Sequence, residues 1–195
     1  MHREILKHIS ATISLTKEEA QEFVGILSEK KLIKKEFLIQ PGQQVNSEYY
    51  VVKGCLQAYY LNESGDKHII QFALEDWWIS DFEAFFGNRK AQLYVEAIED
   101  CNLLEIHKDS LETLYKRIPK FERFFRIKTT NAFVALRSRI LSSLQKSNKE
   151  RYMEFCESYP ELESRVPNYH IANYLGIKAE SLSRIRKELN ELNKI

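Results

Sequence analysis

The ten residues from Lys178 to Lys187, KAESLSRIRK, hold the densest set of side chains in this chain that could do recognition chemistry. With Leu182, Ile185 and Leu189 turned inward on a helix, a rotation of about 100° per residue carries Glu180, Arg184, Lys187 and Glu191 to the opposite face, flanked by Ser181 and Ser183. The planar fork of Arg184 matches guanine O6 and N7, and the carboxylate of Glu180 can accept from cytosine N4. Ser181, Ser183, Lys178 and Lys187 are of the types that hold phosphates. Together they are suited to reading base edges in the major groove of double-stranded DNA.

Such side chains need a rigid mount. From Asn168 to Leu189 the apolar positions Ile171, Leu175, Ile177, Leu182, Ile185 and Leu189 describe two short helices with one inner face, broken near Gly176. Ala172 is small where the helices must approach, and Gly176 sits where the turn asks for φ > 0. The spacing predicts a helix-turn-helix whose second helix does the reading. An ordinary αα-hairpin at the end of a globular domain shares the apolar period, but it does not require the small residue and the glycine at these positions.

Other reactive residues form no constellation. Cys55, Cys101 and Cys156 make no C-x-x-C pair and read as reduced, mostly buried thiols. His2, His8, His68, His107 and His170 are scattered without a His-x-His pair, so a metal-holding cupin-type enzyme is not supported. No Ser-His-Asp spacing, phosphate-binding glycine loop or paired-carboxylate site stands out, and a non-enzyme is expected.

With 195 residues, 44% of them hydrophobic and 12% aromatic, the chain can bury substantial cores. The net charge of +1 lacks the basic excess usual in a nucleic-acid binder, but its distribution is uneven. Tyr60 to Glu105 has ten acids against three bases, whereas Lys120 to Lys149 has eight bases against one acid, and Lys178 to Lys187 four against one. Such a chain presents only one end to phosphate. MHREILKHIS lacks the apolar core of a secretory signal, and no run reaches about 18 consecutive apolar residues, so a cytoplasmic protein without a membrane partner is expected.

Thr16 and Glu19 form a capping box that predicts a first helix from about Lys17 to Lys30. Short β runs follow at Glu36–Ile39, Tyr49–Val52, Leu56–Leu61, His68–Phe72, Tyr94–Ile98 and Leu103–Ile106, punctuated by Pro41-Gly42, Lys53-Gly54 and Gly65-Asp66. Ser80 to Glu83 reads as a short helix or loop over that β core. A helix capped by Asp109 comes next, then a long one with Pro119 near its start. In the long helix Phe121, Phe125, Lys128, Ala132, Ala135 and Arg139 trace a 3.5-residue stripe, read as a dimer seam in preference to a helix buried inside a monomer. Ser147-Asn148-Lys149 is the candidate hinge, Arg151–Tyr159 a short helix, and Pro160–Pro167 a connector.

In this order of elements, and most specifically in Ile171-Ala172-Asn173-Tyr174-Leu175-Gly176-Ile177 followed by Glu180-Ser181-Leu182-Ser183-Arg184-Ile185, the sequence resembles the Crp–Fnr superfamily of bacterial transcription regulators. The resemblance covers nearly the whole chain. It implies an α+β fold with an N-terminal double-stranded, jelly-roll-like β roll (1–118), a long dimerisation helix (119–146) and a C-terminal winged helix-turn-helix (147–195). It implies a homodimer on a palindromic operator, with double-stranded DNA and RNA polymerase as partners, and places Glu180 and Arg184 in the major groove. Ala179 stands where many members have arginine, so the operator preference of the best-known members does not transfer.

The β part resembles the cyclic-nucleotide-binding roll through Pro41-Gly42, Val51-Val52-Lys53-Gly54 and Trp77 to Phe86, with a degenerate binding motif. The family's ribose-binding Gly-Glu falls on Ser80-Asp81, and its phosphate-binding Arg-Ser/Thr-Ala on Ala91-Gln92-Leu93. Without the cationic partner a buried phosphate loses a charge-assisted bond worth about 1.5–3 kcal/mol, so cyclic AMP is expected to bind poorly or not at all. Asp81, Arg89, Lys90 and Gln92 remain the candidate ligand residues, and the effector is unknown. The N-terminal cysteine cluster of oxygen-sensing members is absent and haem is unsupported, so no cofactor is implied. The alternative is a small-molecule-binding or protein-interaction β roll that does not bind DNA.

Overall fold

The structure is a computed structural model that describes residues 2–192. Residue 1 and residues 193–195, the outer ends of the expected first and last domains, lie outside the described residues. The chain divides into two compact units: residues 1–60 with 71–131, and residues 61–70 with 132–195.

The first unit begins with α1 (His2–Ser10) and α2 (Lys17–Gly25). Thr16 caps α2 as its sequence predicts: its hydroxyl accepts from the Glu19 N–H at 3.2 Å, and the Glu19 carboxylate accepts from the Thr16 N–H at 2.8 Å. The helix stops at Gly25 instead of running to Lys30. Leu27–Leu32 is strand β1, paired antiparallel along its whole length with β8 (Cys101–His107), from Leu27 opposite Ile106 to Leu32 opposite Cys101. Six ladder positions override the helical preference of LSEKKL, a tertiary effect with no local signature.

The other strands are β2 (Phe37–Ile39), β3 (Ser47–Lys53), β4 (Leu56–Leu61), β5 (Lys67–Ala73), β6 (Trp78–Ile79) and β7 (Tyr94–Ala97). They form two four-stranded sheets, β1-β8-β3-β6 and β2-β7-β4-β5. Leu38, Val45, Tyr49, Val51, Leu56, Ala58, Val95 and Leu103 belong to one roll core. The alternate positions Tyr50, Leu104 and Ile106 pack instead with Ile5, Ile9, Phe23, Leu111, Phe121, Phe124 and Phe125 from the helices. The near-continuous apolar run of β3 is therefore covered on both faces. At Gly54 φ is +106°, and a Cβ would lie 2.6 Å from Cys101 Sγ, so the β3–β4 turn demands glycine.

Asp81 caps α3 (Phe82–Gly87). The cap of α4 (Lys108–Arg117) is His107, whose Nδ1 accepts from the Asp109 N–H, not Asp109 as its sequence suggests. Helix α5 (Lys120–Gln145) directly follows Pro119, and the boundary between the two units runs through it. Phe121 and Phe125, expected in the dimer seam, are buried in the core of the first unit, because the outer face of the β1-β8-β3-β6 sheet needs their cover. Beyond Asn131 the helix keeps its apolar residues exposed: Phe133, Val134, Leu136, Ile140, Leu141 and Leu144.

Candidate nucleic-acid interface

The second unit carries α6 (Asn148–Ser158), α7 (Pro160–Arg165), α8 (Asn168–Leu175) and α9 (Ala179–Leu192). Ser147 caps α6 through a capping box with Glu150, so the expected hinge is shortened to a fixed helix start. Pro160–Arg165, expected as a connector, is helical: Pro160 opens it, Glu161 and Glu163 complement its N-terminal dipole, and Leu162 is buried. Residues 147–192 contain no strand, so the wing implied by the resemblance has no counterpart among the described residues. The helix-turn-helix forms as its spacing predicts. Ile171, Ala172, Leu175 and Leu182 are buried, Ile177, Ile185 and Leu189 half-buried, and Gly176 ends α8 at φ +64° in the left-handed region.

Two contacts distant in sequence steady this pair. The Asn173 amide donates to the Lys67 carbonyl and accepts from the Ile69 N–H at 2.7 Å, grasping the backbone of the β4–β5 hairpin arm from both sides. Arg139 of α5, assigned to the seam from its spacing, donates to the Ile70 carbonyl at 2.6 Å and lies 4.6 Å over the Tyr174 ring. Nothing local in the sequence announces either contact.

Lys178, Glu180, Ser183, Arg184 and Lys187 are all exposed and Ser181 is half-buried, so the structure brings the whole expected DNA-binding set together on α9 and the turn before it. Arg184 and Lys187 make no ion pair among the described residues, which leaves both cations available to an anionic partner. An open concavity of about 440 Å³ beside them is lined by Asn168, Ser183, Arg186, Lys187, Asn190 and Glu191. Arg186, absent from the expected set, turns the other way: its guanidinium donates to Asn168 Oδ1 and lies 3.3 Å from the Glu163 carboxylate. Its place four residues after Leu182, next to Ile185, was the available sign of an inward direction.

The candidate ligand residues of the β roll are dispersed. Asp81 is buried, and its carboxylate accepts from the N–H groups of Ala84 at 3.2 Å, Gln92 at 2.8 Å and Leu93 at 3.0 Å. The backbone donors aligned with the family's phosphate-binding segment are thus occupied by an anion of the chain itself. Arg89 is exposed and pairs with Glu83 at 3.0 Å, while Lys90 and the Gln92 side chain are also exposed. Of these four, Asp81 and the Gln92 backbone are joined by a hydrogen bond, while the Arg89 guanidinium pairs elsewhere, with Glu83. Cys55 and Cys101 are buried and Cys156 half-buried, none of them in a disulfide. No group of three or more His, Cys, Asp or Glu able to hold a metal occurs among the described residues. No helix of the described residues is long and apolar enough to cross a membrane.

Residues 29–118 match the cyclic nucleotide-binding domain family. Over 204 aligned residues, 97% of this chain and 78% of the relative, the sequence is 25% identical to an anaerobic regulatory protein of Haemophilus influenzae. It is also 25% identical over 192 residues, 92% of this chain and 79% of the relative, to the regulatory protein HlyX of Actinobacillus pleuropneumoniae. Among solved structures, FixK2 from Bradyrhizobium japonicum matches 86% of each chain with a TM-score of 0.74 at 20% identity. The c-di-GMP-responsive global regulator CLP of Xanthomonas campestris matches 91% of this chain and 93% of its own, with a TM-score of 0.73 at 12% identity. In order along the chain stand a β roll that matches the cyclic nucleotide-binding domain family, a long helix and a helix-turn-helix. Over nearly its whole length the chain is similar to transcription regulators of the Crp–Fnr type.

Proposed function

We propose that this protein is a transcription regulator acting in the cytoplasm as a homodimer that reads a roughly palindromic DNA operator and contacts RNA polymerase, without catalysis and without dependence on cyclic AMP. The observation that carries the DNA reading is the solvent-facing pair Arg184 and Lys187, set beside Glu180 and Ser183 on a helix that Gly176 and an apolar inner face hold in place. Arg184 and Glu180 contact base edges, while Lys178, Ser181, Ser183 and Lys187 contact the backbone. The exposed apolar residues of α5 from Phe133 to Leu144 supply a seam for the second copy, which sets two reading helices about one duplex turn, ~34 Å, apart. Residues 1–118 are the sensor part, 119–146 the dimerisation helix and 147–195 the DNA-binding part, the last steadied by the arm 61–70.

The independence from cyclic AMP rests on Asp81. Its carboxylate fills the backbone donors of Gln92 and Leu93, and a second anion brought there would be repelled. Any small-molecule effector therefore binds differently from a cyclic nucleotide, with Arg89, Lys90 and Gln92 as the exposed groups at the rim.

The test is to select duplexes from a random pool with the purified protein, with and without cyclic AMP and other metabolites, and then to titrate binding with salt. Recovery of a two-fold symmetric sequence, lost steeply as salt rises, is the expected result. A protein that ignores duplex DNA at low ionic strength is a β-roll interaction module instead.

A further inference from the structure

Two of the three cations in the stretch Arg184 to Lys187 face solvent, and the third does not. Arg186 directs its guanidinium fork to two acceptors on two other helices: Asn168, in the first turn of α8, and Glu163 of α7. Glu163 in turn accepts the hydroxyl of Tyr152, a buried residue of α6. One guanidinium thus joins α9 to α7 and α8, and through Glu163 to α6. Its side chain is only 28% exposed, against the open positions of Arg184 and Lys187. A lysine at this position would retain the charge but present a single point, unable to hold two acceptors with fixed geometry.

The apolar contacts of α9 do not fix its rotation by themselves, since Leu182 is the fully buried member of its inner face while Ile185 and Leu189 are half-buried. A directional tie beside that face would fix it. We infer that Arg186 is a positioning residue for DNA recognition: through Glu163 and Asn168 it sets the rotation of α9, and hence the direction in which Glu180 and Arg184 meet base edges, without itself touching phosphate. This rests on the DNA-binding reading of α9 given above, and it concerns operator selectivity more than overall attraction to DNA.

The experiment uses the full-length protein, the duplex recovered by the wild type from the random pool, and a scrambled duplex of the same composition. Arg186→Gln and Arg186→Lys are both expected to lower the ratio of the two affinities by roughly tenfold, since base readout is geometric. Neither should change the slope of log affinity against log salt, whereas loss of a phosphate contact lowers that slope by about 0.9. Glu163→Gln, which leaves every cation of α9 in place, should lower selectivity similarly, and the double variant with Arg186→Gln should do no worse than either single one. Should Arg186→Gln fail to fold in a thermal melt, Glu163→Gln carries the same prediction. A slope reduced by about one contact, a normal Arg186→Lys, or unchanged selectivity in Glu163→Gln overturns the inference. If the wild type itself binds no duplex, the DNA reading fails, an outcome readily told apart from these.

Discussion

Arg184 and Arg186 stand two positions apart on one helix and do opposite work, one offered to solvent and one held by Glu163 and Asn168. Arg184→Ala is expected to cost about 1–3 kcal/mol at one base pair per half-site and to relax selection there, as read by competition in a gel shift. Lys187→Ala should weaken every duplex alike and lower the salt slope by about one contact. Asp81 is the corresponding residue of the roll. Removing a carboxylate that three backbone N–H groups share should destabilise the fold by about 2–3 kcal/mol in Asp81→Ala, measured by urea unfolding. If Asp81→Ala unfolds like the wild type, that carboxylate is not what satisfies the cradle.

Glu48 adds a pH dependence at the same scale. It is buried on β3, and burial pushes its carboxyl up to about 7, partly opposed by the charge of Lys128. The Lys128 ammonium lies 3.7 Å from the centre of the Trp78 ring, and burial holds its pKa well below the ordinary lysine value. A folded carboxyl pKa above the ordinary 4.5 means that the native state prefers the protonated form. The resulting stability is complete below about pH 4.5 and is lost as pH rises through about 7. Glu48→Gln should therefore match the wild type near pH 5 and gain on it as the pH rises to 8. Parallel stability curves for the two proteins would refute this.

At the scale of elements, the hairpin arm and α8 behave as one piece because Asn173 satisfies a strand carbonyl and a strand N–H together. Asn173→Ala should speed hydrogen exchange at the Ile69 amide by about tenfold or more while leaving the Tyr50 and Val51 amides in β3 protected. The helix ends follow local chemistry more closely. Thr16 caps its helix with a glutamate three residues on and Gly176 closes α8, both as their spacing implies, while Ser147, read as part of a hinge, caps α6 through Glu150 by the same local pattern. Strand β1, helix α7 and the cap of α4 were less legible, because their partners lie elsewhere in the chain or offer no distinctive residue type.

For the whole molecule, the proposed assembly turns on α5. Its first turns are consumed by the core of the first unit, and its apolar residues from Phe133 onward face solvent. Leu136→Glu combined with Ile140→Glu should convert a dimer into a monomer in sedimentation experiments, with the melting of the β roll unchanged. Operator affinity should fall with it, since two half-sites are then read independently. A dimer that survives both changes uses another surface.

The sequence alone indicated the kind of fold and the face of α9 proposed to meet DNA. Helical periodicity and a left-handed glycine depend on neighbours within a few residues, and both mark the segment from Asn168 to Leu189. Spacing likewise collected Lys178, Glu180, Ser181, Ser183, Arg184 and Lys187 on or beside one helix face. Only the tertiary structure decided that Asp81 satisfies the donors of Gln92 and Leu93, that Phe121 and Phe125 are core rather than seam, and that Arg186 binds carboxylate and amide inside its own unit. These outcomes depend on partners brought close by folding, and a one-dimensional pattern records what each residue can do without recording what stands opposite it.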